Sequence, residues 1–238
     1  MELAPLLFIL LGFFASLVSA VFGFGTALIV LAVGSHILPV KETIALATVL
    51  FAASTITKTI VFGKHIDWRV AGFMALASLP FAFAGASLMV HMPTEVLKQS
   101  LGAMILLYVI LSRFKHLPAL KIGTFGLLAG SASYGFVSGL LGSGNIIKAV
   151  IFREMSLSKE ALVGAMAATS VLSNLAKLTA YTQSDLLGKE LAVEIVGLIT
   201  VAILAVFIGR RILRAMDGSQ FETGLQIILA VSALGLLF

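Results

Sequence analysis

The chain consists of long apolar runs that charged or turn-forming residues interrupt. We divide it into eight apolar segments, most of them close to the roughly 20 residues that an α-helix needs to cross a bilayer. The first and fifth segments are longer, and paired glycines interrupt both: Gly23 and Gly25 in one, Gly142 and Gly144 in the other. This pattern predicts an all-α polytopic membrane protein. The segments are 4–38, 43–62, 70–90, 97–112, 122–152, 161–182, 191–209 and 221–238.

The composition agrees with this prediction. Hydrophobic residues make up 60% of the chain and charged residues 11%, whereas soluble domains carry roughly 25% charged residues. A chain with so few charges cannot cover itself with a water-compatible surface, so lipid must be its solvent. The first residues lack the basic region of a cleaved signal peptide, and we expect the apolar segments themselves to direct insertion. The absence of cysteine excludes thiolate metal sites and disulfides.

The two halves of the chain match each other when the second is shifted back by 119 residues. The shared features are the glycine breaks and a lysine inside a hydrophobic segment, a combination that chance rarely produces. The matching pairs are Gly23 and Gly142, Gly25 and Gly144, Thr26 and Asn145, Ser54 and Ser173, and Lys58 and Lys177. Later in each half the shift becomes 124, which pairs Gly85 with Gly209. We therefore predict two homologous four-segment repeats, 1–112 and 122–238, joined by a cytoplasmic linker at 113–121.

The loop charges bear on how the repeats are oriented. If the first and fifth segments each cross the membrane once, Lys and Arg divide six to seven between the two faces. If each is a helix–glycine–helix hairpin that returns to its own side, ten lie on one face and three on the other. Cytoplasmic loops carry excess Lys and Arg, which favours the hairpins. Each repeat then begins with a re-entrant helix and crosses three times, so the second repeat is inverted. Parallel repeats with kinked single crossings remain the alternative.

The hairpin interpretation also gives a complete topology. It places both termini in the periplasm and the whole chain in the inner membrane. The loops that it places in the cytoplasm are 63–69, 113–121, 153–160 and 210–222. The Lys and Arg residues lie mostly in short loops, as anionic headgroups and the orientation rule require, so they do not indicate nucleic-acid binding.

The glycine breaks are the first candidates for a binding site. Thr26 and Asn145 follow the breaks and are suitable N-cap residues for a second half-helix. A half-helix that begins inside the membrane presents free backbone N–H groups and the positive end of its dipole, which together attract anions. The alternative is a purely structural role, in which the glycines only permit a kink or close packing of helices.

Three lysines inside apolar segments are the second set of candidates. Lys148 falls in the first turn after Asn145, where the helix dipole disfavours a cation, so an ammonium there calls for a neighbouring anion. Snorkelling to the interface is the alternative for Lys148, as it is for Lys58 and Lys177. Neutral hydrogen-bond donors lie one turn deeper. The complete predicted anion site is Gly23, Gly25, Thr26, Ser54, Lys58, Gly142, Gly144, Asn145, Lys148, Ser173, Asn174 and Lys177.

Other kinds of chemistry lack the residues they need. The carboxylates lie in loops or near segment ends, and the histidines show no metal-ligand spacing. We therefore expect no enzyme activity, cofactor or metal. The expected partners are a small anionic substrate and membrane lipids, with a homodimer left open. The favoured function is secondary anion transport by alternating access; the alternatives are an anion channel and a non-transporting scaffold subunit.

The motifs together resemble those of the sulfite exporter TauE/SafE family. The most specific are Gly23-Phe24-Gly25 with Pro39, the run from Gly139 to Gly144, and the loop Ile66-Asp67-Trp68-Arg69. The likeness extends over essentially the whole chain. It implies a transporter of small sulfur-containing anions, such as sulfite, sulfonates or sulfoacetate, with the glycine breaks near the substrate.

Overall fold

The computed structural model describes residues 3–23, 26–113, 123–153, 155, 157–221 and 223–224. Over these residues it contains nine α-helices and two short 3₁₀ turns and no strand, which confirms the prediction of an all-α protein. The helices are α1 Leu3–Phe22, α2 Thr26–Gly34, α3 Val40–Phe62, α4 Trp68–His91, α5 Thr94–Arg113, α6 Thr124–Leu141, α7 Asn145–Arg153, α8 Lys159–Gln183 and α9 Ala192–Ala215. The turns are Gly63–His65 and Lys189–Leu191. Within the described ranges six helices are long and apolar enough to cross a membrane: α1, α3, α4, α6, α8 and α9.

Polar caps mark where several helices begin. The Asp67 carboxylate accepts hydrogen bonds from the backbone N–H groups of Arg69 and Val70 and so starts α4. The predicted start of the loop 210–222 was wrong, because α9 continues to Ala215. Arginine is a good helix former, so the basic cluster extends the helix beyond its apolar part. Most of the predicted eighth segment, and the linker after 113, lie outside the described residues.

The two glycine breaks take the same backbone conformation. Gly23 has φ +85° and Gly142 has φ +80°, the left-handed region in which a side chain is strained. The chain turns back at each break. A Cβ atom placed on Gly34, at the end of α2, would lie 2.7 Å from the ring of Phe8 on α1. One on Gly130 of α6 would lie 2.9 Å from Ile151 near the end of α7. Both breaks therefore form helical hairpins.

The first helix of each half packs on the fourth helix of the other half: α1 contacts α9, and α6 contacts α4. Small residues allow the backbones to approach closely. A Cβ atom on Gly85 would lie 3.2 Å from Cα of Gly139, and one on Gly209 would lie 2.5 Å from Cβ of Ala20. These contacts join corresponding positions of the two halves, since 85 and 209 differ by 124 and 20 and 139 differ by 119.

At the centre of the bundle α3 and α8 pack against each other in opposite directions. Near the end of α3, Cβ of Phe62 would lie 3.2 Å from a Cβ on Gly164, which is near the start of α8. Lys159, the first residue of α8, donates a hydrogen bond of 2.9 Å to the carbonyl oxygen of Leu213 on α9. The end of α3, the start of α8 and the end of α9 thus lie at one end of the bundle.

Candidate functional site

A cavity lies between the two helical hairpins and the central helices α3 and α8. It contains about 440 Å³ of space, part of which is open to the outside of the protein. Residues of both halves line it, and most of them are small or polar. They are Ser19, Gly23, Thr26, Ala27, Phe51, Ser54, Thr55, Lys58, Tyr134, Ser138, Gly142, Ser143, Asn145, Met166, Ser170, Asn174 and Lys177.

Two lysines enter this cavity from corresponding positions and are held in the same way. Lys58 Nζ donates a hydrogen bond of 2.8 Å to Ser19 Oγ. Lys177 Nζ donates one of 3.2 Å to Ser138 Oγ, and it also lies 3.3 Å from the carbonyl oxygen of Gly142. In both pairs the serine precedes its lysine by 39 residues, and each serine lies in the last turn before a glycine break.

Neither lysine has a negatively charged partner in the described part of the chain. Their side chains are almost fully buried, with 3% of Lys58 and 1% of Lys177 exposed. None of the described residues that line the cavity carries a carboxylate. The one ion pair among the described residues joins Lys98 and Glu95 on the exposed surface of α5. Burying an ammonium without a counter-ion is costly, and the described side chains of the cavity do not offset that cost.

Neutral donors lie between the two lysines. The side-chain amide of Asn174 donates a hydrogen bond of 3.1 Å to Oγ1 of Thr55, its counterpart 119 residues earlier. The neighbouring Ser54 is 2% exposed, and its hydroxyl has no hydrogen-bond partner among the described residues. A buried hydroxyl without a partner is unusual in a folded protein. Ser54 lines the cavity, so its hydroxyl faces space that a hydrogen-bond acceptor or donor could occupy.

Lys148 is completely buried behind one wall of the cavity. Its Nζ donates a hydrogen bond of 2.7 Å to the carbonyl oxygen of Met166 and a short one to Ser170 Oγ. It also lies 4.5 Å from the centre of the Tyr134 ring, where a cation is favoured. Tyr134 in turn donates to Ser170 Oγ at 3.0 Å. In the first half the position of Lys148 is occupied by Ile29, so this arrangement has no counterpart there.

The structure brings together eight of the twelve residues that the sequence predicted for the site: Gly23, Thr26, Ser54, Lys58, Gly142, Asn145, Asn174 and Lys177. Gly144, Lys148 and Ser173 do not line the cavity. Gly144 is pressed against the α6 backbone, because a Cβ there would lie 2.8 Å from the carbonyl oxygen of Tyr134. Ser173 lies beyond Tyr134, 3.0 Å from its hydroxyl. Gly25 lies outside the described residues.

Several lining residues were missed by the sequence reasoning. Ser19 and Ser138 could have been found, since they are identical and obey the same shift of 119 as the lysines that they bind. Tyr134 and Met166 carried no such signal, because alanines occupy the equivalent positions 15 and 47. Among the described residues no group of His, Asp or Glu side chains could hold a metal ion.

Six membrane-length helices around a buried cavity that carries two lysines define a multi-pass membrane protein with an internal cationic site. Comparisons with curated proteins and with solved structures found no match. The family model described as "Sulfite exporter TauE/SafE" matches residues 8–236, nearly the whole chain. This chain therefore belongs to the sulfite exporter TauE/SafE family, a family of membrane transporters, as its glycine motifs indicated.

Proposed function

We propose that this protein is a secondary transporter that carries small sulfur-containing anions, of the sulfite or sulfonate type, across the inner membrane by alternating access. The observation that carries the proposal is the pair Lys58 and Lys177. Both ammonium groups are buried in one cavity, both are held by equivalent serines, and the described lining residues beside them include no carboxylate. A membrane site whose charges are all positive suits an anion.

The site has donors in an arrangement that fits an oxyanion. Thr26 and Asn145 begin the half-helices α2 and α7 and line the cavity, so the positive ends of two helix dipoles point toward it. Ser54 adds a hydroxyl without a partner. Oxygens of a bound anion would accept from these groups and replace the hydration shell that is lost on entry. The name of the family supports sulfite or a related sulfur oxyanion as the cargo.

Our proposal has two repeats of opposite orientation, residues 1–112 and 122–238, which is one common basis of alternating access. The antiparallel packing of the equivalent helices α3 and α8 supports it. Where two equivalent membrane-crossing helices run in opposite directions, the twofold axis that relates them lies in the membrane plane. The hairpins at Gly23 and Gly142 fit re-entrant segments, and exchanging the conformations of the two repeats would open the cavity to the opposite face.

The experiment that tests the proposal is counterflow in proteoliposomes of the purified protein. The probes are radiolabelled sulfite, sulfoacetate and methanesulfonate. A carrier predicts that unlabelled anion inside the vesicle accelerates entry of the labelled anion. Flux that collapses with the membrane potential and shows no exchange stimulation would identify a channel. If every probe enters no faster than it enters protein-free vesicles, the scaffold subunit is the alternative that remains.

A further inference from the structure

We propose that Lys58 carries a proton across the membrane together with the anion, so that the transporter is a proton–anion symporter. This inference rests on the proposed anion site. Two buried ammonium groups line the cavity, those of Lys58 and Lys177, and a third, that of Lys148, lies behind its wall. While an anion is bound, its charge offsets them. When the anion leaves, a buried cation without a counter-ion is relieved most readily by loss of its proton.

The three lysines differ in what holds them. Lys148 donates to the carbonyl oxygen of Met166 and lies over the Tyr134 ring, and Lys177 lies within 3.3 Å of the carbonyl oxygen of Gly142. A carbonyl oxygen only accepts hydrogen bonds and an aromatic face attracts cations, so both contacts favour the protonated amine.

Lys58 has a different partner. Its one hydrogen bond in the described structure goes to Ser19 Oγ. A hydroxyl both donates and accepts, so Ser19 can accept from an ammonium or donate to the lone pair of a neutral amine. Ser19 can therefore bond to Lys58 in either protonation state. Of the three lysines, Lys58 loses the fewest favourable contacts when it is deprotonated.

The surroundings of Lys58 contain no acid among the described residues that would hold its proton. Helices α1 and α2 carry no ionisable side chain, and the ionisable residue of α8 that shares the cavity is Lys177. Lys148 on α7 lies behind the cavity wall and does not line the cavity. The other described ionisable groups on α3 and on the elements that pack against it do not line the cavity. They are Lys41 and Glu42 on α3, Lys64 and His65 in the turn after α3, Lys159, Glu160 and Tyr181 on α8, Glu194, Arg210, Arg211 and Arg214 on α9, and Glu95 and Lys98 on α5.

The proton balance of the cycle follows. With anion bound, Lys58 is an ammonium. After the anion leaves, the ammonium gives its proton to water in the open cavity, and the neutral amine accepts a hydrogen bond from the Ser19 hydroxyl. The empty protein returns in this neutral form, and Lys58 takes up a proton from water on the other side when the next anion binds. Each cycle moves one anion and one proton in the same direction.

The test is the accumulation of anion in proteoliposomes whose membrane potential is held at zero by potassium and valinomycin. The probe is labelled methanesulfonate, or sulfoacetate if only that is taken up, because both stay fully ionised near neutral pH. An acidic exterior one pH unit below the interior should support about tenfold accumulation, since one pH unit is about 1.4 kcal/mol per proton. A pH dye inside the vesicles should report acidification as the anion enters.

The variant Lys58→Arg keeps a cation that does not lose its proton. Its counterflow should be slower than that of wild type but present, while its accumulation ratio should fall from about tenfold to unity. The matched control Lys177→Arg should keep the full ratio, which depends on stoichiometry and not on rate. Full accumulation by Lys58→Arg would overturn the assignment to Lys58. Wild-type counterflow without accumulation or acidification would overturn the coupling and leave the proposed function standing. Absence of counterflow for every anion would overturn both.

Discussion

Asn174 and Thr55 occupy equivalent positions in the two halves of the chain, 119 residues apart, and they are hydrogen-bonded to each other at 3.1 Å. Residues related by a twofold axis meet each other only where that axis passes. The proposed axis therefore runs between α3 and α8 at this pair. Lys58 and Lys177 lie one turn further along each helix, in opposite directions because the helices are antiparallel. The cavity is thus built around the axis, with one lysine on either side of it.

The axis pair should contribute to the stability of the interface between α3 and α8. We expect Thr55→Val and Asn174→Leu each to lower the free energy of unfolding, because each removes the hydrogen bond between the helices. Thr55→Val should cost more, because it leaves the buried Asn174 amide without this acceptor, whereas the Thr55 hydroxyl keeps its bond to the Phe51 carbonyl oxygen. A double-mutant cycle in detergent should give a coupling energy of about 0.5–1.5 kcal/mol, the range found for hydrogen bonds inside membrane bundles. Strictly additive effects of the two substitutions would mean that the hydrogen bond contributes nothing.

The contact between α4 and α6 should tolerate no side chain at Gly139. A Cβ atom there would lie 2.7 Å from the backbone nitrogen of Ala86, and backbone atoms cannot move away as a side chain can. We expect Gly139→Ala to destabilise the protein by about 1–3 kcal/mol. The matched control is Gly72→Ala on α4, where a Cβ would meet nothing within 4 Å. Thermal unfolding in detergent should separate them; equal melting temperatures would contradict the close packing.

Lys148 should act on transport from behind the cavity wall. Its hydrogen bonds go to Met166 and Ser170, and it has no place in the lining. We therefore expect Lys148→Met to raise the KM for sulfite, through loss of positive potential and of the ordering of Ser170 and Tyr134, with a smaller effect on maximal rate. Lys177→Met, by contrast, should abolish uptake. Initial rates of uptake over a range of sulfite concentrations would measure both effects. Unchanged kinetics of Lys148→Met would mean that Lys148 has only a structural role.

The topology should be visible by labelling, because the natural chain has no cysteine. We expect His65→Cys and Ser158→Cys to be protected from an impermeant maleimide in intact cells, and Thr94→Cys to be labelled, since all three positions are exposed on the protein. Permeabilised cells should label all three. The single-crossing model instead places Ser158 and Thr94 on one face and His65 on the other, so labelling of Ser158→Cys together with Thr94→Cys in intact cells would establish it.

Much of this site was predictable because it depends on features that a duplicated sequence shows twice. One shift of the sequence relates the helix breaks at Gly23 and Gly142. The same shift relates Lys58 to Lys177 and Thr55 to Asn174. Contributions made by one half alone were not predictable in this way. The direction of the Lys148 side chain depends on how α7 lies against α8, which the local sequence does not determine. Tyr134 was missed because its counterpart is Ala15.

The central claim is that a small anion binds between Lys58 and Lys177, and thermal unfolding of purified protein with added sulfite tests it most directly. A ligand that binds the folded state stabilises it by about 1.4 kcal/mol at tenfold its dissociation constant, and by more at higher concentration. We predict that sulfite raises the melting temperature of wild type in a concentration-dependent way. The double variant Lys58→Met, Lys177→Met should melt no lower than wild type without sulfite, because apolar side chains replace two buried polar or charged groups, and should not respond to sulfite. Equal stabilisation of both proteins by sulfite, or of neither, would contradict the account.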